Sequence, residues 1–164
     1  MSIILDGTNG ITSVTGSASL TAAGPAFSAY GSAQQSVATG TWTKVAFNNK
    51  TFDTNNNFDA TTNYRFTPTV AGYYQINSSI LFNAGASTAV SYIQLYKNGS
   101  AYQYGSGMPL NLSNLIINQL SSLVYMNGST DYLEMYMYQS SGANLNCGSS
   151  ATIFPFSGVL VRSA

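Results

Sequence analysis

Asp131 and Glu134 are the one close pair of carboxylates in the chain. Paired carboxylates are the tools of glycoside hydrolysis, one serving as acid and the other as nucleophile or base. Here they sit in Asp131-Tyr132-Leu133-Glu134, which alternates as a strand does, and that spacing puts them on opposite faces, where they cannot share a substrate. The sequence has no histidine, so the commonest general base and the commonest metal ligand are both missing. No Gly-x-Ser-x-Gly elbow with a histidine exists, and no nucleophilic triad can be assembled. The single cysteine, Cys147, lies in GANLNCGSS, which reads as a loop; it has no second cysteine to bond and no nearby cation to hold it as a thiolate. Asp53 and Asp59 flank an asparagine run whose carboxylate and amide oxygens are of the kind calcium prefers. Their spacing matches no EF-hand, and Asx turns account for the same residues. The expectation is a chain with no enzymatic activity, no cofactor and no metal.

The composition narrows the partners as well as the chemistry. Charged residues make up 6% of the 164, with five basic against five acidic, while 45% are hydrophobic. A usual globular chain is about a quarter charged. The apolar share supports a real core and argues against disorder. The polar surface must come from Ser, Thr, Asn, Gln and Tyr. Such a surface hydrates but does not repel, so a free monomer has little protection against association. The simplest resolution is that other subunits already cover much of it. No basic patch exists to neutralise phosphates, which excludes nucleic acid. No basic amphipathic helix and no apolar run near the ~18 residues of a membrane span is present. The opening MSIILDGTNGIT lacks the charged and apolar regions of a secretory signal, so synthesis in a cytoplasm without export is expected.

The elements that must carry these residues are strands. Helical periodicity is absent, and period-2 runs alternate with turn signals. Strands are expected at Ala26–Gly31, Trp42–Phe47, Thr51–Phe52 with Phe58, Tyr64–Thr67, Gly72–Phe82, Ala89–Lys97, Asn114–Tyr125, Asp131–Gln139 and Ala151–Arg162. Turns fall at Asn55-Asn56-Asn57, Asn98-Gly99, Asn127-Gly128 and Ser141-Gly142. Alternation assigns Tyr74, Ile76, Ile80 and Phe82 to one face and Tyr73, Gln75, Asn77 and Ser79 to the other. Likewise Leu133, Met135 and Met137 oppose Tyr132, Glu134, Tyr136 and Tyr138, while Ile93 and Leu95 oppose Tyr92, Gln94 and Tyr96. Residues 1–24 contain no aromatic and are rich in Gly, Ser, Thr and Ala. They read as an arm that orders only against another chain, with Ile3, Leu5 and Ile11 around a turn at Asn9-Gly10. Residues 25–164 read as an all-β antiparallel sandwich or jelly roll.

Several stretches resemble the globular head of the complement q-subcomponent and the related tumour necrosis factor family. Pro25-Ala26-Phe27-Ser28-Ala29-Tyr30 is similar to the opening strand, and Trp42-Thr43-Lys44-Val45-Ala46-Phe47 follows at the family's distance. Phe66-Thr67-Pro68-Thr69-Val70-Ala71-Gly72-Tyr73-Tyr74 resembles the approach to its central strand. Leu95-Tyr96-Lys97-Asn98-Gly99 resembles its Lys-Asn-Gly turn, and Phe156-Ser157-Gly158-Val159-Leu160 its closing strand. Leu123 to Gly128 with Asp131 stands where the family has a Gly-Asp pair, here with two residues inserted. The resemblance implies a ten-strand jelly roll that trimerises and binds without catalysing. By position it implies a core with Tyr74 and Ile76, and a trimer interface with Gln75, Asn77, Leu123 and Phe156. It also implies an outer sheet whose Tyr92, Tyr96, Tyr132, Tyr136 and Tyr138 face solvent. That stripe suits recognition of a glycan or protein, and equally suits plain cross-strand pairing.

The segment Ile4-Leu5-Asp6-Gly7-Thr8-Asn9-Gly10-Ile11 resembles the start of many bacteriophage tail-fibre and appendage proteins, and no collagen-like repeat precedes the head. The expected role is therefore a homotrimeric virion protein. It would be made in the host cytoplasm, docked to other virion proteins through its arm, and act at a fibre or appendage tip in attachment to a host surface glycan or protein. The alternative is a capsid decoration or a tail- or head-joint scaffold with no receptor.

Overall fold

The computed structural model describes residues 5–6, 10–11, 24–83, 89–110, 115–148 and 154–164. Every regular element among them is a β-strand. Strands β1 (Leu5–Asp6) and β2 (Gly10–Ile11) form a small antiparallel ladder that sets Leu5 opposite Ile11. Ile3, the third residue expected to dock the arm, lies outside the described residues.

The head is a sandwich of two antiparallel sheets. The first, the outer sheet, orders β11 (Ser100–Pro109), β10 (Val90–Lys97), β13 (Leu133–Gln139), β8 (Arg65–Phe66) and β7 (Phe58–Asp59), with β5 (Thr43–Lys44) also paired to β13. The second, the inner sheet, orders β4 (Gln35–Val37), β14 (Leu145–Cys147), β9 (Gly72–Phe82), β15 (Pro155–Ser163), β3 (Ala26–Tyr30) and β6 (Asn49–Asp53), with β12 (Ile116–Met126) along the free side of β9. This is the expected jelly roll. Its strands outnumber ten because the turn-rich segment from Gln35 to Phe66 breaks into five short pieces that serve both sheets.

Alternation places the core as the sequence indicates. Tyr74, Ile76 and Ile80 of β9, Ile93 and Leu95 of β10, and Leu133, Met135 and Met137 of β13 are all fully buried between the sheets. Phenylalanines fill the centre. Phe27 stacks on Phe66 at 4.2 Å between ring centroids and meets Phe156 edge-on at 5.1 Å. Phe47 also packs on Phe156, at 5.3 Å. Truncating such a ring costs about 3–5 kcal/mol. Phe156, which the resemblance assigns to a trimer interface, thus points the other way: it is a core residue with no exposed surface. Its neighbours Ser157 and Val159 take the outward positions on β15, because the side-chain period is two.

Two turns position the functional faces. Asn98 and Gly99 both take positive φ, 54° and 75°, the geometry of a tight hairpin turn between β10 and β11. At the same end, the Asn127 side-chain oxygen accepts the backbone N–H groups of Ser129, Thr130 and Asp131, each at 3.0 Å. That turn absorbs the two inserted residues. Asp131 then accepts from Asn98 Nδ2 at 2.8 Å and lies 2.9 Å from Lys97 Nζ, tying the two turns together. Gly128 is obligatory there: its φ is 71°, and a Cβ would stand 2.3 Å from the Ala71 nitrogen.

Candidate binding faces

The outward face of the inner sheet is built by the odd residues of β9 and β12. Register pairs Tyr73 with Tyr125, Gln75 with Leu123, Asn77 with Ser121 and Ser79 with Gln119. On the other side of β9, Val159 lies opposite Gln75 and Ser157 opposite Asn77. Leu123 is 57% exposed and Val159 44%, and Tyr73, Ile117, Tyr125 and Phe52 are exposed beside them. Large apolar side chains on a solvent face mark a surface that something covers. Between the apolar ends runs a polar belt, in which Gln75 Nε2 donates to Ser121 Oγ at 2.9 Å. A shallow groove of about 380 Å³ lies along Asn77, Ser79, Gln119, Ser121 and Ser157. The outward residues of the central strands carry no charge until Arg162, in register with Tyr73 at the end of the face. Gln75, Asn77 and Leu123 therefore share one surface, and Phe156 does not.

The outer sheet carries the aromatic face. Register pairs Tyr92 with Tyr138, Gln94 with Tyr136 and Tyr96 with Glu134 across β10 and β13. The five tyrosines expected to face solvent do project outward, but they are half-buried because they pack on one another. Tyr96 stacks on Tyr136 with centroids 3.9 Å apart. Burial raises the pKa of both phenols; the neighbouring Tyr104 adds to the effect at Tyr96 and the Glu134 carboxylate at Tyr136. Arg65 lies flat over Tyr132, its Cζ 4.3 Å from the ring centroid. Beneath this layer Lys44 Nζ meets Glu134 Oε1 at 2.5 Å.

The face extends to two residues that sequence reasoning did not place there. Trp42 lies just before β5 and packs against Tyr138 and Tyr104, at 5.4 and 5.8 Å between ring centroids. Tyr104 belongs to β11, which alternation did not reveal. That edge strand, SAYQYGSGMP, has almost no buried face, so no hydrophobic period marks it. Its signal is the Asn98-Gly99 turn, which requires a partner strand after β10. Gly107 is part of the design: a Cβ there would stand 2.1 Å from the Tyr92 ring, so the missing side chain gives that ring its seat.

Asp53 and Asp59 are committed to their own turns. Asp53 accepts the N–H groups of Asn57 and Phe58, both at 2.9 Å, and pairs with Lys50 Nζ at 3.0 Å. Asp59 accepts the backbone of Thr62, Thr61 and Asn63, which holds its carboxyl far below the usual range. These Asx turns leave neither carboxylate facing the other's ligand set. Asp131 and Glu134 are likewise apart, each neutralised by its own lysine. Cys147 is not a loop residue but the end of β14, fully buried against Phe82 in register, and burial pushes its thiol up to about 12.

No family model matches the chain, and no curated protein matches it in sequence. Solved structures do match in shape. The globular domain of zebrafish complement 1qA protein is 16% identical, covering 85% of this chain and 99% of its own, with a TM-score of 0.58. Murine APRIL at pH 5.0 is 12% identical over 84% of this chain and 98% of its own, at 0.63. The Eiger TNF of S. frugiperda is 9% identical over 85% and 92%, at 0.58. At such identities the likeness is one of architecture: the head has the jelly-roll fold of the complement 1q and tumour necrosis factor domains.

Proposed function

We propose that this chain is a non-catalytic virion structural protein that assembles as a homotrimer and acts at a tail-fibre or appendage tip in attachment to a host cell. Residues 1–24 form the arm that docks other virion proteins, and residues 25–164 form the head. The observation that carries the reading is the face of β9, β12 and β15, whose outward residues carry no charge until Arg162 at its end and where Leu123, Val159, Tyr73 and Tyr125 stand in solvent on a monomer. Two further copies cover that face without the desolvation penalty that buried ions would impose. The tyrosine face lies on the opposite sheet, so assembly leaves it open, and three copies raise the effective concentration of any weak site. The resemblance of residues 4–11 to the start of phage appendage proteins supports the virion setting, and synthesis in the host cytoplasm goes with it.

The mass in solution tests the assembly. A value near three times 17.4 kDa supports it, and a soluble particle of one subunit overturns it. Labelling the particle for microscopy tests the role. A distal position supports attachment, whereas a position embedded in the shell replaces it with scaffolding.

A further inference from the structure

We infer that Trp42, Tyr92, Tyr104 and Tyr138 form a cleft that binds a neutral saccharide. The inference deepens the attachment reading and rests on it for the biological source of the ligand.

The rings close a circuit. Trp42 is 5.8 Å from Tyr104, Tyr104 is 6.5 Å from Tyr92, Tyr92 is 6.2 Å from Tyr138, and Tyr138 is 5.4 Å from Trp42, all between centroids. None of these contacts is a stack; the planes meet at 41° to 79°. Tyr96 and Tyr136, at 3.9 Å and 26°, show what a filled pair looks like on the same face. A shallow, open depression of about 530 Å³ lies against these four rings, with Val90 as the remaining wall. Specific ligand sites run to roughly 300–1,000 Å³.

The walls also select the ligand. No charged side chain lines the cleft, so a bound anion would find no cation; a quaternary ammonium would find only the ring faces, and choline tests that occupant. A purely apolar ligand would cover phenol hydroxyls without giving them partners. A sugar ring offers both matches, an axial C–H face for the aromatic surface and hydroxyls for the rim. Tyr and Trp supply this amphipathic contact at low entropic cost.

The cleft is preorganised on four elements. Tyr92 and Tyr138 are direct cross-strand partners, Gly107 seats the Tyr92 ring, and Trp42 leads into β5. Tyr104 is 61% exposed, which fits a wall that awaits a ligand more than one that supports the fold.

Trp42 is the single tryptophan of the chain and therefore a built-in reporter. The full chain is titrated with methyl glucoside, methyl galactoside, N-acetylglucosamine, lactose and maltose while Trp42 emission is followed, with choline chloride and glucuronate as charged probes. The expected result is a saturable change with at least one neutral sugar, weakened at least about tenfold in Tyr104→Ala and retained in Thr51→Ala, on β6 of the other sheet. Circular dichroism checks that Tyr104→Ala is folded, and Tyr104→Phe, which keeps the ring, retains most of the binding. Silence toward every neutral sugar, a response to choline or glucuronate alone, or equal binding by Tyr104→Ala overturns the inference. A trimer that adsorbs to cells yet ignores the sugars removes the cleft and leaves attachment standing. Sugar binding by a lone subunit does the reverse.

Discussion

Lys44 Nζ lies 2.5 Å from Glu134 Oε1 beneath the tyrosine layer, with the carboxylate almost wholly screened from water. A second strand relationship fixes the pair: Lys44 is the direct partner of Tyr136 on the neighbouring strand, two residues from Glu134. The ion pair thus lies beside the stacked rings of Tyr96 and Tyr136 on the same face of the sheet.

Lys44→Met removes the cation and leaves a carboxylate in a dry site. The expected loss is about 1–3 kcal/mol in urea unfolding, since Lys44 itself is partly exposed. The double variant Lys44→Met with Glu134→Gln recovers part of that loss. If Lys44→Met alone is neutral, the pair contributes nothing to the fold.

Acid weakens the head in a defined window. Asp59 is held low by the backbone N–H groups of Thr62 and Thr61 and by Asn63. At Asp131 burial pushes upward, but hydrogen bonds from Asn98, Lys97 and Asn127 outweigh it and the net shift is downward. Carboxyls depressed in the folded state stabilise it above their unfolded value, about 3.9, and that contribution disappears as pH falls through the folded values. Melting temperature is therefore expected to stay level from about pH 7 to 5 and to drop below about pH 4. Asp59→Asn flattens the acid limb; an unchanged limb removes Asp59 from the account.

Leu123→Lys places a cation in the middle of the uncharged inner-sheet face. The expected outcome is a folded chain whose mass falls toward 17.4 kDa, with spectra unchanged because Leu123 is an exposed, outward position of β12. Phe156→Ala gives the opposite pattern. It loses about 3–5 kcal/mol of stability whatever the assembly state, because its ring belongs to the core. Retention of the larger mass by Leu123→Lys excludes this face from the interface.

Cys147 reports unfolding rather than redox chemistry. With its thiol pushed up to about 12, almost no thiolate exists near neutrality. Labelling by an aromatic disulfide reagent is expected to be very slow in buffer and immediate in denaturant. Rapid labelling of the native chain shows that β14 opens locally.

Much of this architecture was legible in the residues because alternation is strong wherever a strand has one buried face. β9, β10, β12 and β13 were readable on that ground, and so were the faces of Gln75, Asn77 and the tyrosines, whereas Leu123 was placed by the resemblance. Phe156 went astray because a positional resemblance was followed where the local period disagreed: Phe156 and Gly158 point inward together, with Ser157 between them facing out. β11 stayed hidden because an edge strand that covers nothing needs no apolar period. Without β11 the aromatic face lacked Tyr104, and Trp42, at a strand entrance, was given no face. Cys147 looked like a loop residue because β14 is three residues long within a Gly- and Asn-rich stretch.

Lys44, Lys50 and Lys97 are each held by an acid of the same subunit, and Arg65 lies on a ring. A molecule wired this way projects almost no field beyond its own skin. Nothing steers a target toward it, so encounters proceed by unguided diffusion, near 10⁵–10⁷ M⁻¹s⁻¹ for a protein partner, at much the same pace in dilute buffer as in brine. Whatever it holds, it keeps by fit and by number of contacts, so added salt changes its grip little.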